Sequence, residues 1–233
     1  MRRRGFGGLV SDEQWKQLVS EASRRPFSAG KTLLHQGVTG HGVHLMLSGR
    51  VRVVSDYADG TSAPLAFRTC GEILGESVLA GGGRTCNATV TALSGGSTAY
   101  LTTEHFQRKI RELDLMPVLM DSALNRQGES DQIRGQLAQL PAKRRLSAAL
   151  VHLAAVFGEP IQVPRSEGQR EGQVLYIPLS QQEVGGFVGL SRTSVHYAYT
   201  QLKELGLIRI DTKYVVILDL ARLEALALGD DHT

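Results

Sequence analysis

Leu179-Ser-Gln-Gln-Glu-Val-Gly-Gly-Phe-Val-Gly-Leu-Ser-Arg-Thr-Ser-Val-His-Tyr-Ala-Tyr-Thr-Gln-Leu-Lys-Glu-Leu-Gly-Leu-Ile208 reads as two short helices joined by a tight turn. Ser180 and Glu183 have the Ser-x-x-Glu spacing of a capping box, in which each side chain satisfies a backbone N–H left over at the helix start. Gly189 supplies the turn, where a β-carbon would strain the backbone. Ser191 caps the second helix. Val195, Tyr199 (or Ala198), Leu202 and Leu205 recur on its buried face at helical spacing. The opposite face offers Arg192, Thr193, His196, Tyr197 and Lys203. The N-terminus of such a helix suits a DNA major groove: Arg192 reaches guanine, while Thr193 and His196 contact bases or phosphates. Ser180 and Ser191, at the two helix starts, join this DNA-binding set. Residues 206–218 then form a β-hairpin whose charged tip, Asp211-Thr-Lys213, is where a wing belongs.

Upstream, residues 142–157 form a helix with Leu146, Leu150, Leu153, Ala154 and Phe157 on one face. Residues 158–173, charged and glycine-bearing, read as a loop. Pro141 breaks the chain and makes a hinge. Residues 115–140 read as one long helix, apolar towards both ends and wholly polar through 125–131. Gly128 costs it about 1 kcal/mol of helix propensity, so the helix alone is marginal; a seam against a second copy would explain it, a solvent-facing polar stretch being the alternative.

From residue 27 to 101 the texture is different. Short runs rich in Val, Leu, Thr and Tyr, at 32–35, 43–47, 51–54, 65–68, 88–93 and 98–101, alternate with glycine turns such as Ser48-Gly49 and Asp59-Gly60. That spacing predicts a closed or jelly-roll antiparallel β-barrel. Ser11, Trp15, Leu18 and Val19 mark an amphipathic helix ahead of it, and residues 103–110 a short helix after it. The fold class is therefore α+β: a β-barrel over 11–114, a dimerisation helix over 115–140, and a winged helix-turn-helix over 141–223.

A second constellation lies inside the barrel: Gly71-Glu-Ile-Leu-Gly-Glu-Ser-Val-Leu-Ala-Gly-Gly-Gly-Arg-Thr-Cys-Asn-Ala88. Glycines let backbone N–H groups approach an anion, and Arg84 with the hydroxyl of Thr85 completes a phosphate cradle. It lacks the Gly-Lys-Ser/Thr of a nucleotide triphosphate loop. Glu76 would repel a phosphate and makes better sense gripping hydroxyls, such as those of a ribose. By itself the segment also reads as a glycine-rich surface loop.

Composition narrows the classes. With 42% hydrophobic and 21% charged residues the chain reads as soluble, and it has no apolar run long enough to span a membrane. Its glycine-rich start makes no signal-peptide core, which predicts a cytoplasmic protein. Cys70 and Cys86, the two cysteines, form no CxxC pair, so no metal or iron–sulfur site is expected. A net charge of +3 permits nucleic-acid binding without requiring it. No Gly-x-Ser-x-Gly elbow accompanies the serines and no metal-ligand spacing the histidines, so an enzyme is not expected.

Both constellations, in this order and joined by a long helix, resemble the cyclic-AMP receptor and fumarate–nitrate regulator (CRP/FNR) family from about residue 12 to 223. Leu33-Leu-His-Gln-Gly37 and Leu45-Met-Leu-Ser-Gly-Arg-Val51 look like its early barrel strands and turns. Gly75-Glu76 with Arg84-Thr85 looks like its phosphate-binding cassette. The resemblance implies that Glu76 binds the ribose 2′-hydroxyl and that Arg84 and Thr85 bind the cyclic phosphate, with Gly75 and Ser77 bringing backbone to the ligand. It implies base contacts from Ser130 and Asp131 on the long helix, shared across a homodimer. It also implies a cyclic nucleotide, cyclic AMP or cyclic GMP, as effector without any covalent cofactor, and double-stranded DNA and RNA polymerase as partners. Three departures matter. Asp131 stands where the family has a hydroxyl residue; a carboxylate accepts from guanine N1–H and N2–H₂ but repels adenine N1. Thr85 in place of serine also resembles cyclic-GMP-selective sites. In the recognition helix, Arg192-Thr193 and Tyr197 replace the receptor's Arg-Glu and second arginine, which predicts a different half-site. Two alternatives stay open: the same DNA-binding regulator with a degenerate pocket or another metabolite, and a nucleotide-responsive protein-interaction module.

Overall fold

The computed structural model describes residues 3–80, 85–165, 168–175, 181–210 and 214–229. The chain divides into two compact units, 1–130 and 131–233, and each is taken by itself.

The first unit opens with α1 (Phe6–Leu9) and α2 (Asp12–Ser20), followed by β1 (Ser23–Phe27), β2 (Thr32–Leu34), β3 (Gly42–Ser48), β4 (Val51–Asp56) and β5 (Ser62–Arg68). It continues through β6 (Ile73–Leu74), a 3₁₀ turn at Glu76–Ala80, β7 (Thr89–Ala92), β8 (Gly96–Thr102) and α3 (Thr103–Glu112), and enters α4 (Met116–Gln139). The strands form two antiparallel four-stranded sheets, ordered β1-β8-β3-β6 and β2-β7-β4-β5. Eight short antiparallel strands in two sheets make the jelly-roll that the turn spacing predicts.

Met46, Val51, Leu74, Val90 and Ala92 pack together as one buried cluster of the barrel. A second cluster joins α2 and α3 to the sheet through Leu18, Leu45, Leu101, Phe106 and Ile110. Each such side chain contributes roughly 1.5–3 kcal/mol by leaving water. Ser11 caps α2 with a full capping box, accepting from the Gln14 N–H while the Gln14 side chain accepts from the Ser11 N–H. The turn at Asp59-Gly60 is longer than a two-residue hairpin. Gly60 alone takes positive φ, at 81°, and the Asp59 carboxylate accepts from the Thr61 N–H at 2.9 Å.

The second unit takes the rest of α4, then α5 (Ala142–Phe157), β9 (Glu159–Arg165), β10 (Gly168–Leu175), α6 (Gln181–Val188) and α7 (Arg192–Glu204). It closes with β11 (Ile208–Ile210), β12 (Val215–Ile217) and α8 (Leu220–Leu228). Its sheet is ordered β11-β12-β10-β9. Leu146, Leu150 and Leu153 of α5, Val184 and Phe187 of α6, and Val195 and Leu202 of α7 are all buried. This is the core on which the helix-turn-helix stands.

Two expectations need correction here. Residues 158–173 are not a loop: β9 and β10 pair in a continuous antiparallel ladder from Glu159↔Val174 to Arg165↔Gly168. Charge and proline hide the strand in the sequence, but β9 is an edge strand, where Pro160 and Pro164 cost the sheet little. Leu205 is not on the buried face of α7; it is the C-cap and is 42% exposed, while Ala198 and Tyr199 are both buried.

Candidate functional site

The cassette begins where β6 ends. Gly75 holds φ at +82°, with Leu34 and the Gly42 carbonyl close to where a β-carbon would sit, so a side chain there would strain the turn. That turn starts the 3₁₀ segment at Glu76. The Ser77 hydroxyl donates to the Thr85 carbonyl at 3.4 Å, and Thr85 forms a bridge with Thr39. Cys86 follows, buried, its N–H donating to the Val38 carbonyl at 2.8 Å. Burial first, and the nearby Glu76 charge second, push the Cys86 thiol up, which keeps it protonated and inert at neutral pH. Gly75, Glu76, Ser77 and Thr85 are thus brought together; Arg84 lies outside the described residues.

Arg126, on α4, was not singled out by the sequence. Its Nη1 donates to Glu76 Oε1 in a short ion pair, and its Nη2 donates to Glu72 Oε2 at 3.0 Å and to the Ile73 carbonyl at 2.8 Å. The signal available beforehand was an arginine within the polar middle of a helix, with nothing local to name its partners. Ser130 lies one turn beyond Arg126 and is half-buried; Asp131 follows it and is exposed. On the same helix Met116, Met120 and Leu124 recur every four residues and are 48%, 56% and 65% exposed. Gly128 continues that row, and a β-carbon there would meet nothing within 4 Å.

In the second unit Gly189 turns the chain at φ +62°, and the Ser191 hydroxyl accepts from the Ser194 N–H at 3.1 Å, capping α7. Arg145 steadies this corner: its Nη1 donates to the Gly189 carbonyl at 3.2 Å and its Nε to the Leu140 carbonyl at 2.6 Å. Arg192, Thr193, His196, Tyr197 and Lys203 are all exposed on α7, opposite buried Val195, Ala198, Tyr199 and Leu202. One face of α7 is fixed in the core, so the other presents its polar side chains from a rigid base. Ile208↔Ile217 to Ile210↔Val215 pair the hairpin that follows. Ser180 and the tip at 211–213 lie outside the described residues.

Among the described residues no helix is long and apolar enough to cross a membrane, and no group of three or more His, Cys, Asp or Glu could hold a metal ion.

Residues 24–112 match the family model of the cyclic nucleotide-binding domain, and residues 144–226 that of the Crp-like helix-turn-helix domain. The chain is 28% identical over 226 residues to the cyclic AMP receptor protein of Thermus thermophilus, covering 96% of each chain. It is 29% identical over 214 residues to the transcriptional activator protein FnrA of Stutzerimonas stutzeri, covering 88% of this chain and 80% of that one. In fold it is similar to the crystal structure of a CRP/FNR-family transcriptional regulator, also of Thermus thermophilus, with a TM-score of 0.71 at 23% identity, covering 89% of this chain and all of the other.

Proposed function

The chain belongs to the CRP/FNR family of DNA-binding transcription regulators, and from that premise we propose that it is a homodimeric, cytoplasmic regulator gated by a cyclic nucleotide. The observation that carries the gating is the tie between Glu76 of the cassette and Arg126 of α4. A ligand hydroxyl that binds Glu76 competes with that arginine, so occupancy at the cassette biases the helix that carries Arg126. In this reading Arg84 and Thr85 bind the cyclic phosphate, Gly75 and Ser77 line its path, and Ser130 and Asp131 face the base.

We assign residues 11–114 to ligand binding, 115–140 to dimerisation and 141–223 to DNA. The exposed row of Met116, Met120 and Leu124 supports a second copy of the chain as the partner of α4, because an apolar seam of this kind is costly in water. Arg192, Thr193, His196, Tyr197 and Lys203, with Ser180 and Ser191 at the helix starts, form the DNA-facing set. RNA polymerase is the further partner that transcription control requires.

Calorimetric titration with cyclic AMP and cyclic GMP tests the gating ligand. Wild type binds one of them, Arg84→Ala abolishes binding, and Asp131→Ser moves the preference towards cyclic AMP. An unchanged ratio of dissociation constants in Asp131→Ser contradicts the assignment of the base contact. A second reading keeps the DNA-binding regulator but gives the pocket another metabolite or none. In that reading Arg126 holds Glu76 and no ribose hydroxyl competes for it. No heat with either nucleotide would support that reading instead.

A further inference from the structure

Glu72 is an acidic residue that the cassette does not use, yet it is among the few buried charged side chains of the barrel, 9% exposed. Its Oε2 accepts from Arg126 Nη2 at 3.0 Å and lies 3.8 Å from Arg68 Nε. Arg68 in turn reaches Glu129, further along α4, at 3.6 Å. On its other side the carboxylate lies against Gly5, where a β-carbon would stand only 2.4–2.8 Å away. The N-terminal segment that carries Gly5 is pinned by backbone bonds from Arg4 to Cys70 and from Gly7 to Gly71, each 2.8 Å. Glu72 is therefore packed between this segment and the arginines. The Arg126 guanidinium, for its part, is shared between two carboxylates, one in the cassette and one behind it.

We propose that Glu72 is a positioning residue for the cassette: it is the standing counter-charge of Arg126, which lets Arg126 yield Glu76 to a ligand hydroxyl. This deepens the cyclic-nucleotide reading and rests on it. Arg126 and the ligand hydroxyl compete for Glu76. A ribose hydroxyl donating to Glu76 must share or take the oxygen that Arg126 holds. Stripping a half-buried guanidinium of its only carboxylate is costly. With Glu72 in place the arginine keeps a charge-assisted bond whichever way Glu76 is used. Without it, Arg126 holds Glu76 all the harder, and the hydroxyl competes poorly.

The substitution that tests this is Glu72→Gln, which keeps the size and the contact with Gly5 but removes the charge. Calorimetry on the full-length protein would compare each cyclic nucleotide with its 2′-deoxy analogue, which lacks the hydroxyl that engages Glu76. The expected result is a roughly tenfold weaker dissociation constant for the ribonucleotide, the size of one lost charge-assisted contact. The 2′-deoxy analogue should change far less, so the penalty for removing the hydroxyl shrinks in the variant. Glu72→Asp, which restores the charge, should recover part of the ribonucleotide affinity. A merely structural role for Glu72 would weaken both ligands equally. That outcome, or no change in either, overturns the inference and leaves the cyclic-nucleotide reading standing. Failure of the wild-type protein to bind either nucleotide overturns that reading, and this inference with it.

Discussion

Arg192 sits just inside the capped start of α7, exposed, with the helix behind it fixed by Val195 and Leu202. A bidentate arginine to guanine discriminates by about 1–3 kcal/mol, so Arg192→Ala should flatten the preference at one G·C pair per half-site, read by fluorescence anisotropy on single-substituted operators. Tyr197, 64% exposed on the same face, has no comparable pairing rule and stays a contact without an assigned base. His44 gives the barrel a pH response of its own. His44 is buried against Tyr100 and Thr98, and burial first, then the Arg25 charge, lower its pKa from 6.5 to about 4. The unfolded chain takes up this proton near the ordinary value while the folded one refuses it. Stability present above pH 6.5 is therefore lost as pH falls towards 4, by up to about 3 kcal/mol. Trp15, the sole tryptophan and buried in this unit, reports it. The urea midpoint from its fluorescence should fall over that window in wild type and fall less in His44→Asn.

At the scale of elements, the long helix carries the sharpest expectation. One lysine placed in an apolar seam costs several kcal/mol, so Leu124→Lys should weaken self-association tenfold or more in sedimentation equilibrium. An unchanged molecular mass would remove α4 as the dimer seam. The elements also show what can be read in the residues. The helices over 142–157 and 192–204 declare themselves by apolar residues at helical spacing, and α5 begins and ends at the residues that periodicity names. The barrel strands β3, β4 and β8 declare themselves by β-branched and apolar runs between glycine turns. β1, with the sequence Ser-Arg-Arg-Pro-Phe, does not. It is an edge strand with an exposed polar face, held by its pairing to β8 rather than by burial. β9, an edge strand, and β10 escape because charge, proline and glycine interrupt their sequences, although the two pair in one continuous ladder. Within the cassette, glycines, a carboxylate and a hydroxyl could be named from type and order. The ion pairs of Arg126 with Glu72 and Glu76 could not, because they join residues distant in sequence, and no local spacing encodes them.

In the whole molecule, the proposed gating couples a ligand-responsive helix to a DNA-reading one. Family membership makes it a DNA-binding transcription regulator; the two-fold dimer we propose would present recognition helices to half-sites about 34–36 Å apart. Affinity for such a site should fall steeply with salt, as phosphate contacts require. Gating demands more: the nucleotide must bind the DNA-competent arrangement better than the other, and by reciprocity DNA must tighten the nucleotide by the same factor. The most direct measurement is fluorescence anisotropy on a selected operator at fixed salt, with and without the nucleotide identified by calorimetry. Saturating nucleotide should tighten operator binding at least about tenfold in wild type and leave Arg84→Ala unmoved, a coupling well within the usual range. Equal operator affinity with and without bound nucleotide would contradict it.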